Sequence, residues 1–135
     1  MSEMTAEDYE SIDGASRELH TRGWRKAFTL NEMFEAWASL VAEVEQGYDQ
    51  MVAEYTNDMA CRDWLALVWP MLTERVRDAR AEELKALDAR FRAATLDDAG
   101  RAIGRFYRIE NNDGWWWRRR PIKVAGEFAA DLAAE

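Results

Sequence analysis

The chain has 135 residues, of which 48% are apolar and 33% charged, with a formal net charge of −8. That is the size and balance of one globular domain, and it excludes both a disordered tail and a generally basic nucleic-acid-binding surface. The longest apolar run, Trp64 to Leu72, is nine residues, against the roughly 20 that a membrane-spanning helix needs. The acidic opening MSEMTAEDYE offers no apolar stretch for a secretory signal. The single cysteine, Cys61, permits neither an intrachain disulfide nor a multi-cysteine zinc site. A cytoplasmic protein is expected.

Residues 1–28 show no sustained period and contain Gly14 and Gly23. They read as an irregular acidic N-terminal arm, with at most a short helix near Ala15 to His20, preceding one helical domain over 29–135. Thr29 and Glu32 stand at capping-box spacing. After them Phe34, Trp37, Val41, Val44, Tyr48, Met51 and Tyr55 recur at intervals of 3 and 4, a heptad seam. The seam predicts a first helix over about 30–55, a rod of roughly 40 Å at 1.5 Å per residue. Gly47 weakens its middle and suits the close approach of a neighbour.

Tyr55 to Asp58 reads as a turn. A second helical stretch follows over 58–94, either one helix kinked at Pro70, which removes one backbone hydrogen bond, or two helices. Thr95 with Asp97 and Asp98 predicts a fresh helix start, and Asn111-Asn112-Asp113-Gly114 a stop. Residues 115–121 are expected to be irregular or extended, and a short closing helix begins near Ile122. The fold class is therefore all-α, a bundle built on a long antiparallel helical hairpin with shorter C-terminal helices.

Charge is unevenly placed. Residues 1–20 carry six acids and one base. Between Ala27 and Cys61 there are seven acids (Glu32, Glu35, Glu43, Glu45, Asp49, Glu54, Asp58) and no base. Residues 101–123 carry seven bases against Glu110 and Asp113. Such segments invite mutual pairing, within one chain or between two copies. The acidic face of 30–55 also suits a basic protein partner.

The WWWRRRP run stands out. Three successive tryptophans cannot all face inward on any regular element, because neighbours are rotated by about 100° in helix or 180° in strand. The plainer reading is that Trp115, Trp116 and Trp117 clamp the closing helix on the bundle while Arg118, Arg119 and Arg120 meet the acidic face of the first helix. The alternative uses the same six residues to contact a ligand or partner, the indoles stacking and the guanidiniums holding phosphate.

Signals of chemistry are weak. On the seam's heptad the acids of 32–54 never fall at a or d, and the lone His20 lies outside the bundle, so no metal site is predicted. Cys61 reads as a small core residue. No nucleophile elbow and no phosphate loop are present. The segment TLDDAGRAIGRFYRI is too short for a helix-turn-helix with its recognition helix. A non-enzymatic protein-interaction module without cofactor, homodimeric through apolar helix faces, is the expected function. The alternatives are a nucleic-acid or phosphorylated-ligand module using Trp115 to Arg120, and an enzyme holding Mg²⁺ between acidic helices.

Overall fold

In the computed structural model, which describes residues 3–134, the chain opens with a regular helix where an irregular arm was expected. This helix, α1, spans Ala6–Thr21. Thr5 and Asp8 form a reciprocal capping box, with the Thr5 amide donating to Asp8 Oδ2 at 2.7 Å and the Asp8 amide to Thr5 Oγ1 at 3.3 Å. The inward face is built from Ala15, Ser16 and Leu19. Small residues at helical spacing leave a faint hydrophobic period, which is why the segment looks irregular as a sequence.

The second capping box, Thr29 with Glu32, starts α2 (Leu30–Gln46) as expected. The rod does not continue to residue 55. Gly47 sits at φ +125°, outside helical space, and its amide caps the Glu43 carbonyl at 2.9 Å. Tyr48 then runs extended, donating its amide to the Lys123 carbonyl and accepting from the Ala125 amide, each at 3.1 Å. Helix α3 begins beyond it and spans Val52–Val68, so the turn expected at 55–58 lies inside a helix. Asp131 caps the new start by accepting from the Val52 amide at 3.0 Å.

The seam survives the break as a set of core residues. Phe34, Trp37, Val41, Val44, Tyr48 and Tyr55 are all buried within the single chain, while Met51 at the α3 cap is exposed. Contacts within one copy therefore cover the stripe that suggested a dimer.

Pro70 falls in a 3₁₀ turn, Trp69–Met71, that separates α3 from α4 (Glu74–Ala93). The stretch 58–94 is thus parts of two helices. Thr73 caps α4, accepting from the Val76 amide, and its hydroxyl donates to Asp8 Oδ1 at 2.6 Å. One buried carboxylate consequently serves the N-termini of both α1 and α4, where the helix dipoles favour negative charge. Helix α2 packs on α3 and α4, and α1 packs on α3.

No helix starts at Thr95. Thr95–Asp97 is a short strand, β1, paired antiparallel with β2, Arg119–Pro121, in the register Leu96 opposite Arg120. Ala99 and Gly100 follow at φ 60° and 80°, and the Asp98 carboxylate accepts from the Gly100 and Ala102 amides. Left-handed backbone at two successive residues is incompatible with a helix through this point. Of residues 115–121, expected to be irregular or extended, Trp115–Arg118 instead form a 3₁₀ turn and only Arg119–Pro121 are extended. Helix α5 spans Gly126–Ala133 and seats Phe128, fully buried, with its ring 5.3 Å from those of Tyr48 and Tyr55. Burial of that ring contributes about 1.5–3 kcal/mol to docking α5. No helix among the described residues is long and apolar enough to cross a membrane.

The Gly47 break has a measurable sign. In a continuous helix Gly47→Ala would raise stability by about 1 kcal/mol. At φ +125° the same change is expected to lower stability by about 1–3 kcal/mol, read as a fall in the midpoint of thermal unfolding.

Candidate interaction groove

Two adjacent residues of α3 organise the tryptophan segment. The Arg62 guanidinium forms a two-pronged pair with Asp88 of α4, Nε to Oδ1 at 3.0 Å and Nη2 to Oδ2 at 2.9 Å. Trp37 of α2 donates its Nε1 to the same Oδ1 at 3.0 Å. The guanidinium also lies 4.3 Å from the centroid of the Trp116 ring, a cation–π stack in a site with little water. The next residue, Asp63, accepts from Nε1 of both Trp116 and Trp117, each at 2.8 Å on Oδ1. Burial holds the Asp63 carboxyl above the ordinary carboxylate range, and the two indole N–H groups oppose that rise.

The six residues singled out from the sequence therefore do not form one surface. Trp116 and Trp117 are buried, and Tyr107 stacks on Trp117 at 4.3 Å with rings 9° from parallel. Arg118 donates to the Asp113 and Glu110 carbonyls at 3.0 and 2.8 Å. Arg119 donates to Thr95 Oγ1 at 2.8 Å and to the Arg92 carbonyl at 3.2 Å. Arg120 is half-buried in β2. Trp115 is half-buried, with the Arg92 guanidinium 3.9 Å from its ring centroid and the Phe91 edge beneath it. Trp116 and Trp117 fasten their own segment to α3 through Asp63, whereas the closing helix is seated by Phe128 rather than by the tryptophans. The three arginines hold backbone or strand positions and form no ion pair with α2 among the described residues.

Trp115 and Trp116 help line a groove of about 800 Å³ between α3 and α4. Its walls include Leu65 and Ala66 of α3, Trp69 and Pro70 of the 3₁₀ turn, and Arg77 and Leu84 of α4. Trp69 and Leu84 are half-buried, while Ala66 and Pro70 are exposed. Arg77 bonds the Leu72 carbonyl but has no carboxylate within 4 Å among the described residues, and the same holds for Arg92. Trp69, Arg77 and Leu84 escaped the sequence reading. The available signal was the position of Trp69, one residue past inward-facing Val68, and the seven-residue spacing of Arg77 and Leu84 along one side of α4.

A second cleft of about 830 Å³ lies between residues 22–28, α2 and α3. Trp24 and Arg25 stand on one wall, Glu43 and Asp58 on the other. Burial first, and then the charges of Asp58 and Asp49, raise the Glu43 carboxyl above its ordinary range. Cys61, at its floor, is a thiol pushed up to about 12 by burial, so it is not a thiolate nucleophile near neutral pH. Among the described residues no group of three or more His, Cys, Asp or Glu side chains is placed to hold a metal ion. No protein-family model, no curated protein and no solved structure matches the chain.

Asp63→Ala strands two indole N–H groups, each at a cost of about 1–3 kcal/mol. It is expected to lower unfolding free energy in urea by about 2 kcal/mol or more and to increase acrylamide quenching of tryptophan fluorescence. Asp63→Asn keeps an acceptor oxygen and should lose less than half as much.

Proposed function

We propose that the protein is a non-enzymatic protein-interaction module whose docking surface is the groove between α3 and α4. The observation that carries this reading is the groove's composition. Half-buried Trp69, Trp115 and Leu84 line the groove, with buried Trp116 and Leu65 behind them. Arg77 and Arg92 stand beside them without carboxylate partners. Tryptophan and arginine are the residue types most enriched at the energetic centres of protein interfaces. Indoles held by Asp63 and by the Arg62–Asp88 pair are already ordered, which reduces the entropy lost on binding.

The partner's chemistry follows from the lining. An apolar or aromatic anchor fits between the indoles, and an acidic side chain beside it meets Arg77 or Arg92. A second copy of this chain would use the same face. The cleft beside Trp24 offers a single indole between walls of opposite charge, a poorer match to an interface centre.

Panning a random peptide library against the immobilised protein tests this reading. Enriched peptides are expected to combine aromatic or aliphatic residues with Asp or Glu, and to lose at least about tenfold in affinity, ~1.4 kcal/mol, against Leu84→Lys or Trp69→Ala. Enrichment of basic peptides, or binding indifferent to both substitutions, would contradict it.

A further inference from the structure

Most basic residues of 101–123 have no carboxylate partner among the described residues. Of the seven bases in 101–123, Arg108 alone has a carboxylate within 4 Å among the described residues, Glu110 at 3.2 Å. Two of the four acidic residues of α2 pair elsewhere, Glu32 with Lys26 and Glu45 with Arg90. Meanwhile the loop after β1 raises two aromatic rings into solvent. Phe106 is 48% and Tyr107 38% exposed. Arg101, Arg105 and Arg108 of the same loop are exposed as well.

This loop is held rather than loose. The Asp98 carboxylate caps the Gly100 and Ala102 amides at 3.0 Å. Arg105 donates to the carbonyls of Leu132 and Ala134, with its guanidinium carbon 5.3 Å from the Phe106 centroid. Tyr107 lies flat on Trp117, which Asp63 fixes in turn. A supported, partly exposed ring beside a guanidinium, as Phe106 is beside Arg105, is an arrangement by which proteins receive unpaired nucleobases, the ring stacking on the base and cations meeting the backbone phosphates. It holds here against the nearby carboxylates of Asp113, Asp63 and Glu110 that act on Tyr107. Duplex grooves need a projecting helix or ribbon, which this loop lacks.

We infer that the loop 98–108 is a binding site for single-stranded nucleic acid, in which Tyr107 and Phe106 stack on successive bases and Arg101, Arg105 and Arg108 contact phosphates. The site is separate from the groove between α3 and α4 and does not depend on the protein-interaction reading. Stacking does not read base identity, so binding is tolerant of sequence. The net charge of −8 opposes a polyanion beyond the loop, which confines measurable binding to low salt.

Fluorescence anisotropy with labelled oligothymidylate and oligouridylate at low salt tests the inference on the full chain. Both should bind, with log affinity falling against log salt at a slope of about −2 for three arginine contacts. Phe106→Ala is expected to weaken binding at least about fivefold, and Arg101→Gln with Arg108→Gln to reduce the slope by about 1.4. Circular dichroism would check that both variants keep the parent fold. Absence of binding, or heparin binding with equal affinity and indifferent to Phe106→Ala, would overturn the inference. So would a salt-sensitive dimer from which the oligonucleotide is excluded, since the loop would then serve a second copy of the chain.

Discussion

The pairing of Arg62 with Asp88 is the constraint on which the helical body and its outer layer both depend. Three donors from two helices converge on one carboxylate, Nε and Nη2 of Arg62 and Nε1 of Trp37. The side chains of Arg62 and Asp88 are only 9% and 14% exposed, so water cannot replace a lost partner there. Desolvating two charges is costly, and the pair compensates for it only because its geometry is two-pronged and the third donor occupies a remaining lone pair. The same guanidinium carries Trp116 on its face. The joint between α2, α3 and α4 is in this way also the foundation of the tryptophan segment.

The adjacent Asp63 extends that logic outward. Its one oxygen receives two indoles, fixing Trp116 and Trp117, and Trp117 in turn supports Tyr107. The tryptophan run thus divides its work. Two indoles face inward and locate the C-terminal third on α3, while Trp115 faces the groove alongside Trp69. The features proposed to bind, a groove on one side and an aromatic loop on the other, share these supports. Each places exposed apolar surface on a rigid base, which favours recognition over fraying.

The helical class was legible because Phe34, Trp37, Val41 and Val44 keep their period and Thr29 announces its helix. Where one helix ends was not. The period runs through Gly47 unbroken because α3, restarting at Val52, happens to present Tyr55 to the same core. The cause of the break is nonlocal: the bridge between Tyr48 and Val124, and the cap from Asp131, join residues about eighty positions apart. Helix α1 was hidden for a different reason, its inward face being built of Ala15 and Ser16 with Leu19 as its one fully buried large apolar residue. Thr5 and Asp8 did carry a capping signal. At Thr95 the local cap preference lost to strand pairing with Arg119 to Pro121, a tertiary contact without a short-range signature. In the candidate sites, the prominence of WWWRRR was apparent from the sequence, but which indole faces outward depends on Asp63, fifty residues away in the chain. Trp69 and Tyr107 acquire their roles only through that same packing.

A double-mutant cycle on Arg62 and Asp88, followed by urea denaturation, tests the central claim most directly. If three helices depend on the pair, Arg62→Ala and Asp88→Ala should each cost about 3–5 kcal/mol, and the double variant should cost little more than either alone. Additive losses, or single losses below about 1 kcal/mol as for an exposed pair, would contradict the account.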